Sequence, residues 1–154
     1  MSLNLFGYVK THRVRWSARH ARLWGYAESL HRHQSWHNLC LSFVAHCYGF
    51  ESSGVALYGV QPWAINLWNV TPRAYRHHWT TNPPIGALVF WRGRNGGTGH
   101  VAYYYGSGLI LTNDLGRDGF ITVEKIGDVR AKWGLIPVGW IEPHFGKGNG
   151  TNPY

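Results

Sequence analysis

Gln34-Ser-Trp-His-Asn-Leu-Cys40-Leu-Ser-Phe-Val-Ala-His-Cys47-Tyr-Gly49 is the stretch on which the fold turns. Leu39, Leu41, Phe43, Val44 and Cys47 give it one apolar helical face, and Gly49 suits a stop just past its end. Ser35 and Asn38 are both candidate N-caps. A helix starting here holds Cys40 in its first turn, where the positive end of the macrodipole favours thiolate over thiol. Along such a helix Cys47 lies roughly 10 Å from Cys40, beyond the ~7 Å reach of a disulfide. Both cysteines are therefore expected as free thiols, Cys47 as a small buried apolar residue and Cys40 as the reactive one.

The chain that follows changes texture. Gln61 to Trp68 reads as a short helix with Pro62 in its first turn, and Thr71 to Pro84 as a long surface loop. Ala87 to Trp91 is a buried-strand run, Arg92 to Gly99 a glycine-rich turn, and His100 to Tyr105 a second strand. Gly106-Ser-Gly108 is a tight hairpin, with strands expected at Leu109–Asp114, Phe120–Lys125 and Ile136–Ile141. One or two helical turns fit between Gly127 and Trp133. Upstream, Ser17 caps a helix expected from about Ala18 to Leu30, its arginines set away from Leu23, Trp24, Ala27 and Leu30. Helices first and an antiparallel sheet after make an α+β domain. It is expected over residues 1–145, with the glycine-rich 146–154 as a flexible tail or linker.

At 154 residues the chain is long enough to bury a core, and nine tryptophans and nine tyrosines supply either that core or a stacking groove. The net charge of +8 points to a polyanionic partner, and residues 1–33 concentrate it in Lys10 and five arginines against Glu28. No run is apolar enough to span a bilayer, and the first residues lack a secretory pattern. Synthesis in a cytoplasm without a signal peptide is expected, with release by other means if the chain works outside.

A cysteine opening a helix and a histidine opening a later strand are the parts of a thiol–imidazole pair. His100 follows Gly97-Thr98-Gly99, so its ring is expected near the sheet edge. The next strand offers an orienting group. Alternation puts Thr112 and Asp114 on one face and Leu111 and Asn113 on the other. Asp114 is the choice, because a carboxylate both orients the ring and favours its charged form. Asn113 is the reserve if a bulge exchanges the faces.

The segments Asn38-Leu-Cys40-Leu-Ser-Phe-Val44, Pro84-Ile-Gly-Ala-Leu-Val-Phe-Trp91 and Gly99-His100-Val-Ala-Tyr103 resemble the papain-like cell-wall hydrolases, the CHAP amidohydrolase/peptidases and their NlpC relatives. Leu111-Thr-Asn-Asp114, Gly127 to Gly134 and Gly139-Trp140 resemble phage endolysin and actinobacterial members of that group, so the likeness spans residues 36–142. It implies a papain-like fold, no cofactor or metal, and thiol attack on an amide of bacterial peptidoglycan by a monomer. Residue by residue it implies Cys40 as nucleophile, His100 as base and Asp114 as third member. The NlpC branch often has histidine in the third place, and Thr112 stands near it here. Gln34, six residues before Cys40, resembles the oxyanion glutamine of papain. Trp36, Trp63, Trp68, Trp79 and Trp91 are candidate groove aromatics, Trp36 and Trp91 foremost for substrate binding, with core packing the stronger alternative for each. The basic N-terminal region is expected to hold anionic wall polymers.

Rival readings differ in class. A zinc amidase would draw on His31, His33, His77 and His78, which lack a helical i,i+4 pair and a following cysteine set. A non-catalytic basic module for nucleic acid or the wall fits the charge, but no nucleic-acid motif is present and no nucleic-acid partner is expected. An inactive papain-like adaptor would not need both Cys40 and His100.

Overall fold

The computed structural model describes residues 36–47, 63–79 and 83–141. The basic N-terminal region, Ser35, Gln34, Pro62, His31, His33 and the 146–154 tail lie outside the described residues.

Helix α1 runs Cys40–Cys47 and α2 runs Ala64–Val70. A 3-10 turn at Arg73–Tyr75 leads into a two-residue strand β1, Arg76–His77. Then come β2 (Leu88–Arg92), β3 (His100–Gly106), β4 (Leu109–Asn113), β5 (Ile121–Lys125), α3 (Asp128–Trp133) and β6 (Ile136–Ile141). The strands form one six-stranded sheet in the order β1-β6-β2-β3-β4-β5, antiparallel at every pairing. The chain is an α+β protein. Among the described residues no helix is long and apolar enough to cross a membrane.

The local chemistry explains these elements. Between β3 and β4 the turn residues Ser107 (φ 53°) and Gly108 (φ 75°) are both left-handed, the mirror-image turn whose twist matches paired strands. Gly134 ends α3 in the left-handed region and returns its N–H to Arg130. The stretch Thr71–Pro84 is not a plain loop: it supplies β1, which pairs Arg76 with Ile141 and His77 with Trp140. Backbone pairing and the stacking of His77 on Trp140 hold a strand so short, and hydropathy alternation cannot register two residues.

Alternation along the strands builds two cores. On one face Leu88, Phe90, Val101, Tyr103, Leu111 and Ile121 meet α1 and α2. On the other, Ala87, Val89, Trp91, Ala102, Ile110 and Trp140 meet Val129 of α3 and the rings of Trp79 and Trp133. Trp36 belongs to the first core at 1% exposure, edge-on to Phe43 at 5.8 Å, and Trp91 to the second, also at 1%. Neither ring is available to a substrate, which corrects the sequence expectation: a sheet covered on both faces needs large rings inside. Trp68 and Trp79 are core residues for the same reason. Trp63 is 46% exposed.

Trp36→Ala should cost about 3–5 kcal/mol of stability through the cavity it leaves. Urea unfolding measures this, and a loss below 1 kcal/mol would place the ring outside the core.

Candidate active site

Cys40 is the first residue of α1, as the sequence suggests, but Asn38 is not its N-cap. Asn38 stands at φ 58° and gives its backbone N–H to Asp114 Oδ2 at 2.8 Å. Leu39 precedes the helix and accepts from the Phe43 N–H at 2.9 Å. His100 opens β3 directly after Gly99, whose φ of 71° suits glycine. A Cβ on Gly99 would lie 2.5 Å from the Trp91 carbonyl and 3.3 Å from Ile65 Cβ. The same close approach lets the Ile65 N–H reach Thr98 O at 3.0 Å, so α2 seats the turn that delivers His100.

Cys40 and His100 line one cleft of about 710 Å³. Its apolar wall is Leu39, Trp63, Trp133 and Leu135, and its polar wall His37, Asn113, Asp114 and Asp118. Among the described residues no lysine or arginine lines it, although the chain has 15 basic against 7 acidic residues.

The sulfur is approached by the backbone N–H groups of Val101 and Leu41. Val101 directly follows His100, so the thiol rests at the start of β3. The imidazole is 5% exposed, and Nε2 lies 2.7 Å from Thr112 Oγ1. The Thr112 hydroxyl donates to the Asn113 carbonyl at 3.3 Å, so toward His100 it accepts. This arrangement fits the tautomer with the proton on Nε2 and the lone pair on Nδ1. Trp133 meets the imidazole edge-on at 5.0 Å and Trp91 lies at 5.8 Å. These rings wall the histidine and fix its plane.

Thr112, not Asp114, holds the imidazole. The register pairing Tyr103 with Leu111 would set Asp114 opposite His100 if β4 continued straight. It does not: Asp114 takes φ 66° and its carboxylate turns toward the segment before α1. There it accepts from Asn38 N–H (2.8 Å), Gly119 N–H (2.6 Å) and Asn113 Nδ2 (3.2 Å), with His37 Nδ1 at 3.2 Å. Asn113 is spent likewise, its Nδ2 donating also to Trp36 O at 2.8 Å. Gln34 lies outside the described residues. Sequence reasoning passed over Trp133, His37 and Asp118 as cleft residues, and it set Leu39, here 38% exposed next to the cysteine, on the apolar helical face.

Burial governs the electrostatics. Desolvation pushes the Cys40 thiol up to about 11, outweighing the N–H groups of Val101 and Leu41 that pull it down; the Asp114 charge raises it further. The macrodipole expectation is overturned here, because dipole stabilisation is small beside the loss of hydration. Desolvation also lowers His100 to about 4, against a smaller upward pull from Asp114. At neutral pH both groups are uncharged.

His37 Nδ1 and the carboxylates of Asp114 and Asp118 offer ligand atoms within 4.8 Å of one another. Both Asp114 oxygens already accept N–H donors, so the grouping acts as a hydrogen-bonded junction. Of the histidines expected of a zinc site, His77 stacks on Trp140 at 4.0 Å and His78 meets Trp68 at 6.3 Å. The chain matches no protein-family profile, no curated protein and no solved structure.

Two outcomes test this electrostatics. Iodoacetamide should modify Cys40 slowly at pH 7, its rate rising toward a midpoint near 11, as read by mass spectrometry of the Cys40 peptide. A midpoint below 8 would mean that the thiol is not desolvated. His100, neutral in the fold down to about 4 but ionising near 6.5 when unfolded, stabilises the fold above 6.5 and loses that contribution as pH falls toward 4. The loss is on the order of 3 kcal/mol, and denaturant titrations of wild type and His100→Gln between pH 7 and 4 measure it.

Proposed function

We propose that the chain is a cysteine-dependent peptidoglycan hydrolase of papain-like type, cutting an amide bond of the bacterial wall as an endolysin-type amidase or endopeptidase. The observation that carries the reading is one cleft lined by a helix-opening cysteine and a strand-opening histidine, the imidazole held through Nε2 by Thr112. An apolar wall with Trp63 exposed beside Leu39 gives a sugar or peptide a surface on which to lie.

In this mechanism the base is a neutral imidazole. His100 Nδ1 takes the Cys40 proton as the sulfur forms a bond to the substrate carbonyl carbon. Backbone N–H groups at the start of α1 receive the oxyanion. The imidazolium gives its proton to the leaving amine as the C–N bond breaks, leaving a thioester. Water, deprotonated by the same nitrogen, frees the acyl group and restores the thiol. Thr112 accepts from Nε2–H throughout and keeps the ring turned. The enzyme is made in a cytoplasm, reaches the wall after release, and uses its basic surface on anionic wall polymers.

The separation between a thiol near 11 and an imidazole near 4 favours a second reading, a catalytically silent wall-binding domain. One experiment separates them. Purified peptidoglycan digested by wild type should yield new amine and carboxyl termini by mass spectrometry, and Cys40→Ala should lower the rate at least about 10³-fold without changing wall binding. Wild-type binding with no cleavage would establish the silent domain.

A further inference from the structure

Asp114 is left over from the site as the mechanism uses it. It is 7% exposed, makes no hydrogen bond to Cys40 or His100, and yet its carboxylate gathers three N–H donors from two separate parts of the chain, with His37 Nδ1 at 3.2 Å beside them. Two residues ahead of Cys40, Asn38 brings one of them, and the β4–β5 loop brings another from Gly119. Around this charge the two segments are laced by backbone: Trp36 N–H to Gly119 O at 3.0 Å, and Trp36 O accepting from Asn113 Nδ2 at 2.8 Å. The two residues joined by the 2.8 Å bond, Asn38 (φ 58°) and Asp114 (φ 66°), are both left-handed without being glycine. Such backbone persists where surrounding bonds over-determine it, and it gathers at functional sites.

We propose that Asp114 is a positioning residue for the Cys40 thiol: its carboxylate fixes the turn before α1 to the end of β4 and so sets where the sulfur stands over the start of β3. The claim rests on the hydrolase reading above and adds a role for Asp114 distinct from that of a third catalytic member. The same strand end thus holds both halves of the chemistry. Thr112 orients the imidazole, and two residues later Asp114 orients the helix that carries the thiol. An asparagine does not replace it, because its amide would turn two hydrogens toward a site where the Asn38, Gly119 and Asn113 N–H groups already donate. A glutamate keeps the charge but carries it one methylene too far.

The test compares Asp114→Asn and Asp114→Glu with wild type by circular dichroism, by kcat and KM on peptidoglycan fragments, and by the pH profile of Cys40 alkylation with iodoacetamide. The groups facing the sulfur across the cleft are His37, His100, Asp114 and Asp118. Folded Asp114→Asn should lose about tenfold or more in kcat with KM little changed. Its alkylation midpoint should move to lower pH, because a negative charge that raises the thiol is gone. Asp114→Glu should lose kcat similarly while keeping the wild-type midpoint. Wild-type kcat in either variant overturns the proposal, and so does a loss confined to Asp114→Asn, which would make the charge alone responsible. If neither variant folds, amide exchange in wild type decides: slow exchange at both Asn38 and Gly119 supports the clamp, and free exchange at either overturns it. If wild type cleaves nothing, the hydrolase reading fails separately, and the alkylation and exchange arms still judge Asp114.

Discussion

A strand has two faces, and in the middle of this sheet both are buried. Val101 and Tyr103 of β3 face α1 and α2, while Ala102 faces Trp91 and Val129. His100 shares the Ala102 side, among tryptophan rings, whereas Cys40 packs against the opposite core. The two groups come into one cleft because each stands at the first residue of its element, where the layers end. A cysteine one turn further into α1, or a histidine two residues further along β3, would be closed off by the packing that holds the sheet together.

This placement has an electrostatic result. A site at the junction of two hydrophobic layers inherits their dryness, so the thiol rises and the imidazole falls. The helix start supplies N–H groups to the sulfur without reversing that balance. Under the proposed hydrolase reading, reactivity there would come from proton transfer between two neutral partners, with the Nε2–Thr112 bond leaving the other ring nitrogen to take the proton.

The strands were legible because alternation and turn chemistry agreed: β6 runs Ile136–Ile141, and the Ser107-Gly108 turn falls where Gly106-Ser-Gly108 marks it. The leading helix and the histidine strand were legible in the same way. The third site residue was not, because alternation assumes a continuing strand and Asp114 leaves it with a positive φ. Trp36 and Trp91 stood between groove and core in the sequence, because composition reports how many rings a chain has, not which side of a two-layered sheet they fill; both are core. β1 was missed because two residues carry no period; Thr112 stood among the candidates on that strand, but nothing in the sequence set its hydroxyl above the Asp114 carboxylate.

The outermost described strands differ in how they meet solvent. β1 is only two residues long, too short to template another chain, and β5 ends in Glu124 and Lys125, whose charges resist an added strand. Among the described residues, neither margin therefore offers a long apolar edge to an added strand.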